Sequence, residues 1–153
     1  SDSGILGSQL PSIKVENENQ GKILALYLNS IVALLQLVSF VAESRGAWVS
    51  LDHKRVWSHI HAPEMTKLTD DQTEKAMRLF DKVGKFKAKT LLERLKTHDS
   101  LQREIDELVL ELLGMGDWKA KLDQVYDALG DEIEAMHRIL EASGKRYKKP
   151  SKK

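Results

Sequence analysis

Cysteine is absent from the 153-residue chain. That removes disulfides, thiolate metal sites and cysteine nucleophiles together, and it suits a cytoplasmic protein. Phosphate-cradling loops are missing as well, because neither Gly-x-x-x-x-Gly-Lys-Ser/Thr nor Gly-x-Gly-x-x-Gly occurs. Ser44 and Ser50 lack the Gly-x-Ser-x-Gly context of a nucleophile elbow. No basic stretch leads into an apolar one at the N-terminus, so no signal peptide is read. A first residue of Ser rather than Met reads as an excised fragment boundary. Aromatic residues make up only 6% of the chain. With 31% charged and 41% hydrophobic residues, the composition is that of a helix-rich soluble protein able to bury a core. The length fits one domain, or one small domain with a helical appendage.

The net charge is +1, yet the charges are unevenly placed. From Lys82 to Lys96 six basic residues face Glu93 alone, and the tail from Lys145 to Lys153 holds six more with no acid. Between Asp117 and Glu141 seven acids outnumber Lys119, Lys121 and Arg138. Such polarity can set one face against phosphate, or it can simply solvate helix surfaces.

Residues 1–11 read as loop, and the alternation Ser12-Ile13-Lys14-Val15-Glu16 predicts a short half-buried strand. Asn17 to Gly21 reads as a polar turn. Ile23 to Ala42 is a run of 20 uncharged residues, long enough for a bilayer. Asn29, Ser30, Gln36 and Ser39 interrupt it, and no second span or aromatic belt accompanies it. It therefore reads as a central buried helix. Trp48 and Val49 predict a second strand over Ala47–Leu51, followed by a short helix carrying Val56, Trp57 and Ile60 and ended by Pro63. Thr69 with Gln72 forms a capping box ahead of Ala76, Leu79, Phe80 and Val83, and Gly84 stops that helix. Lys85 to Lys96 turns helical near its end. Asp99 caps a helix bearing Leu101, Ile105, Leu108, Val109, Leu112 and Leu113, terminated by Gly114. A last helical region runs from Trp118 to Leu140, with a division expected at Gly130-Asp131.

The fold expected is α+β and helix-rich: short strands packed on a long buried helix, followed by a C-terminal helical region. Residues 1–116 form the domain proper, 117–143 a helical extension and 144–153 a basic disordered tail. His53, His59 and His61 lie close together with Glu64, but without a cysteine they read as a chance grouping rather than a metal site.

Several strings recur in an order that resembles the C-terminal part of N6-adenine DNA methyltransferases of restriction–modification systems. They are Pro11-Ser12-Ile13-Lys14-Val15, then Ala25-Leu26-Tyr27-Leu28-Asn29-Ser30, then Arg45-Gly46-Ala47-Trp48-Val49. Val56 to Ile60, Pro63 and Leu68-Thr69-Asp70-Asp71 continue the series. Arg103-Glu104-Ile105-Asp106-Glu107 through Leu113-Gly114 close it. The likeness spans residues 7–116, and the helical region after Trp118 lies outside it. Two family features are missing, the Asn/Asp-Pro-Pro-Tyr/Phe core signature and a glycine-rich cofactor loop.

The resemblance therefore implies the target-recognition and DNA-binding portion of such an enzyme, not an enzyme by itself. It implies no catalytic residue and no metal or cofactor in this chain. S-adenosylmethionine belongs to the parent, and the partners are double-stranded DNA and the parent's methyltransferase core. A specificity region needs cations for phosphates and base edges, and the residues whose chemistry suits that are Arg45, Lys54 and Arg55 as one contact group and Lys85, Lys87 and Lys89 as phosphate contacts. Trp48 is expected in the core rather than as a stacking platform, and Asn29 is expected to bond local backbone. The competing reading is a protein-interaction module that docks another domain or subunit through the C-terminal helices, along Trp118, Leu122, Val125 and Leu129.

Overall fold

Asn17 sets the first helix. Its side chain accepts the Gln20 amide at 3.0 Å, while Gln20 accepts the Glu16 amide at 3.0 Å. In the computed structural model, which describes residues 13–39, 42–43, 49–50, 60–87 and 89–142, six α-helices follow. They are α1 (Glu18–Leu28), α2 (Ile31–Ser39), α3 (Asp70–Val83), α4 (Leu91–Lys96), α5 (Ser100–Leu112) and α6 (Leu122–Ala142). Short 3₁₀ turns precede α3 (Met65–Lys67) and α6 (Gly116–Lys121).

Local chemistry explains the boundaries. Thr69 and Gln72 complete a reciprocal capping box on α3, with Asp70 and Asp71 beside the positive end of its dipole. Asp99 accepts the Leu101 and Gln102 amides at the start of α5. That helix ends in a Schellman motif: the Met115 amide donates to Leu110 O at 2.7 Å and the Gly114 amide to Glu111 O at 3.1 Å. Gly114 sits at φ 71°, a left-handed position that glycine adopts without strain.

The expected α+β architecture is corrected: the described residues fold as an all-helical protein. Ile13–Val15 alternates like a strand but forms none, because it is the lead-in to α1. Val15 lies against Gly21 in that helix's first turn, and the supposed polar turn at Asn17 is the cap itself. Around the second expected strand, Val49–Ser50 pairs antiparallel with Ala42–Glu43 over two residues each, too little to make a layer. Trp48 and the segment 51–59 lie outside the described residues, as does the tail 144–153.

A second correction concerns the long apolar run. It is not one helix but two, α1 and α2, bent by 69° at Asn29-Ser30. Asn29 Nδ2 donates back to Ala25 O at 2.9 Å, the local backbone bond its apolar surroundings called for. Ser30 Oγ donates to Tyr27 O at 2.7 Å and accepts the Ala33 amide at 3.2 Å, so one hydroxyl serves both helix ends. The freed Ile31 amide donates to the buried carboxylate of Asp106 on α5 at 2.7 Å. Asp106 also accepts Tyr126 OH at 2.6 Å and Gln102 Nε2 at 3.1 Å. Gln102 in turn reaches Asn29 O and accepts Arg94 Nη1 at 2.7 Å. Among the described residues, no single helix is long and apolar enough to cross a membrane.

The centre of the molecule is α5. One side of it (Ile105, Leu108, Val109) packs with Ile23, Leu26 and Tyr27 of α1, Ala33 of α2, and Ala76 and Leu79 of α3. On the other side Leu110 joins Ile31, Leu95 of α4, and Leu122 and Tyr126 of α6. The division expected at Gly130-Asp131 is also corrected, since α6 runs unbroken from Leu122 to Ala142. Gly130 is where α6 comes close to α4: a Cβ there would stand 3.7 Å from Lys96 Cγ and 3.9 Å from Leu95 Cβ. Those are ordinary contacts, so Gly130→Ala is expected to raise stability by about 0.5–1 kcal/mol through helix propensity. A rise in the urea midpoint checks this; a fall would mean the two helices cannot accept even a methyl group.

Candidate nucleic-acid interface

Half of the basic run from Lys82 to Lys96 is neutralised by the fold. Lys82 pairs with Glu104 at 2.6 Å, Lys89 with Asp99 at 2.5 Å, and Lys96 with Glu134. Arg94 is turned inward onto Gln102, and its buried Nε has no partner among the described residues. The Lys89 ammonium is held charged by Asp99, whose own carboxyl is pushed down by the same pair. Lys89, expected to meet phosphate, is thus committed to the N-cap of α5.

Lys85 and Lys87 are exposed, and neither side-chain ammonium has a hydrogen-bond or ion-pair partner among the described residues. They leave the turn that closes α3. That turn is fixed by backbone bonds from Gly84 to Phe80 O, Lys85 to Lys82 O and Phe86 to Val83 O, each at 3.1 Å. Between the two lysines stands Phe86, 59% exposed. Sequence reading passed over this residue. Its signal was an aromatic outside the apolar stripe of α3, flanked by cations. Arg45, Lys54 and Arg55 lie outside the described residues, so their relation to this turn is not part of the geometry.

A second surface is apolar. Ile31, Val32, Leu35, Leu113, Met115 and Trp118 line an open groove of about 500 Å³ between α2, the end of α5 and the start of α6. Trp118 is half exposed there, with Lys121 Nζ 4.7 Å from its ring centroid. Of the expected docking stripe, Leu122 and Val125 line the same groove, Leu122 being buried in the core as well, while Leu129 packs against that core. His61 rims the groove, its amide donating to Gln36 Oε1 at 2.7 Å. His53 and His59 are outside the described residues, among which no cluster suited to a metal ion occurs.

One histidine does carry a built environment. The segment after α4 ends in a second Schellman pattern, Asp99 N to Arg94 O and His98 N to Leu95 O, and His98 occupies the left-handed position at φ 45°. Its ring is clasped by α6: Nδ1 faces Asp123 at 3.1 Å and Nε2 faces Asp127 at 2.8 Å, with Tyr126 edge-on. Arg103 of α5 shares Asp123. The two carboxylates raise the imidazole pKa, Asp127 most strongly. A raised folded-state pKa means that this stabilisation is complete below the ordinary imidazole value of about 6.5 and is lost as pH rises through the folded value. His98→Asn keeps a residue that tolerates the left-handed backbone and removes the titration. Its stability is expected to fall below the wild type's at pH 6 and to converge with it toward pH 9, as read by urea titration at each pH. An equal deficit at every pH would show that the clasp does not titrate.

No family model, curated protein or solved structure matches the chain.

Proposed function

We propose that this chain is the target-recognition portion of a cytoplasmic N6-adenine DNA methyltransferase of a restriction–modification system, without methyl-transfer activity of its own. The S-adenosylmethionine site and the catalytic core belong to the rest of the parent. One observation carries the reading. Two strings that resemble the family separately, Leu28-Asn29-Ser30 and Ile105-Asp106-Glu107, meet in space, where Asp106 accepts the amide that the Asn29-Ser30 break sets free.

On this reading Lys85 and Lys87 supply phosphate contacts, and Arg45, Lys54 and Arg55 remain the other proposed contact group. Each phosphate neutralised contributes about −0.9 to the log–log slope of affinity against salt. Lys85→Ala/Lys87→Ala is therefore expected to make the slope shallower by about two units and to weaken all duplexes alike. Lys89→Ala is expected to change the slope little, because its charge is already spent on Asp99. Fluorescence anisotropy on duplex DNA at several salt concentrations, with this chain and with the parent enzyme, provides the test. An unchanged slope in the double variant would remove the phosphate role.

The groove beside Trp118 favours a second reading that is compatible with the first. It is an apolar, half-exposed surface of the kind that seats another domain, and the occupant proposed is the parent's methyltransferase core.

A further inference from the structure

We propose that Phe86 stacks on an unpaired or unstacked base of the bound DNA, while Lys85 and Lys87 hold the phosphates beside it. The proposal rests on the DNA-contact reading of this turn and goes further, since it names the form of DNA preferred. Three observations converge on the same three residues. The ring is 59% exposed on a turn whose backbone is fixed by three hydrogen bonds, so it is presented to solvent by a rigid support. Of the six cations from Lys82 to Lys96, the fold spends Lys82, Lys89, Arg94 and Lys96 on internal partners, and the two flanking the ring are the ones whose ammonium groups have no partner among the described residues. The phenylalanine on α3, Phe80, is packed against the core with Lys22 over its face, whereas Phe86, in the turn after that helix, is left exposed.

An exposed aromatic between two free ammonium groups matches the chemistry of a nucleotide: a π-face to cover and phosphates on either side. A fully paired duplex hides its base faces within the stack, leaving such a ring no π-face to cover. A flipped, bulged or single-stranded base offers its face, and an apolar ring can also hold open a step from which a base has left. One phenylalanine with two lysines is a small anchor for a lipid surface, whereas stacking on a single base needs one ring.

The test uses the 153-residue chain and a labelled 20-base-pair duplex in three forms: fully paired, carrying one unpaired adenine, and as a single strand. The wild type is expected to bind the duplex with the unpaired adenine about tenfold more tightly than the paired one, and to quench 2-aminopurine placed at the unpaired position. Phe86→Ala is expected to lose both effects while keeping the paired-duplex affinity and the salt slope. Phe86→Trp is expected to retain them. Lys85→Ala/Lys87→Ala should weaken all three forms together without altering their ranking. If the chain binds duplex but Phe86→Ala leaves the preference and the quenching unchanged, stacking is overturned and the DNA reading stands. If no form of DNA binds, both fall. If DNA fails while phosphatidylserine vesicles bind in a Phe86-dependent manner, the turn is a membrane contact and the proposal is wrong.

Discussion

Asp106→Ala is expected to destabilise the fold by roughly 3–5 kcal/mol, the range seen when one partner of a buried charged network is removed. Asp106 is fully buried and accepts from three different elements: the Ile31 amide of α2, Tyr126 OH of α6 and Gln102 Nε2 of α5. Alanine leaves the Ile31 amide and the Tyr126 hydroxyl without their acceptor, and Gln102 Nε2 with Asn29 O alone; an unsatisfied buried donor costs about 1–3 kcal/mol. Burial pushes the Asp106 pKa up, while the donated hydrogen bonds pull it back. The same environment pushes the Tyr126 hydroxyl up, which keeps it a donor. With the folded-state pKa raised, the native state holds its proton more readily than the unfolded chain. The contribution of Asp106 to stability therefore improves as pH falls toward the ordinary carboxylate value of about 3.9 and diminishes as pH rises through the folded value. Asp106→Asn keeps an acceptor and is expected to lose less than the alanine variant, and to lack that pH term. Urea unfolding of both variants measures the difference. A loss under 1 kcal/mol for Asp106→Ala would mean that water or rearrangement satisfies the orphaned donors and that the network does not hold the helix break.

Leu95→Ala should cost about 2–5 kcal/mol, the usual range for emptying a leucine site in a packed core. Leu95 has no solvent exposure and is the buried residue of α4, a helix of six residues. So short a helix has little stability of its own and depends on tertiary packing. Its anchor fits among Ile31, Leu110, Leu122 and Tyr126, beside the close approach at Gly130. Because α4 also leads into His98, the variant is expected to loosen the imidazole from Asp123 and Asp127, visible as faster amide exchange in α4 and around residue 98. A cost below 1 kcal/mol with exchange unchanged would show that the site collapses around the smaller side chain.

The helices that were legible in the sequence are those whose signals are local. Thr69 and Gln72, Asp99 and Gln102, Gly84 and Gly114 each act within a few residues, and the stripe from Leu101 to Leu112 needs only helical geometry. The break at Asn29-Ser30 was not legible, because its acceptor is Asp106, far along the chain. Periodicity registers apolar residues but not the axis change between them. Ile13–Val15 misled for a related reason: alternation identifies a strand only where a neighbouring strand exists to pair with it, and a polar lead-in to a helix can alternate too. At the candidate interface, Lys85 and Lys87 could be read as exposed cations. That Lys89 is spent on Asp99, and that Phe86 is left in the open between the two free lysines, depends on how α3 and α5 pack.

The bond from the Ile31 amide to Asp106 spans 75 residues of sequence. At a translation rate of about 5–20 residues per second, a ribosome needs roughly 4–15 s to go from one partner to the other. For that interval the most apolar stretch of the chain is in the world without the carboxylate that fixes its bend, and Tyr126, which braces the carboxylate, arrives later still. Chaperone occupancy on the nascent chain should therefore begin at the apolar run and persist until the segment through Tyr126 has emerged.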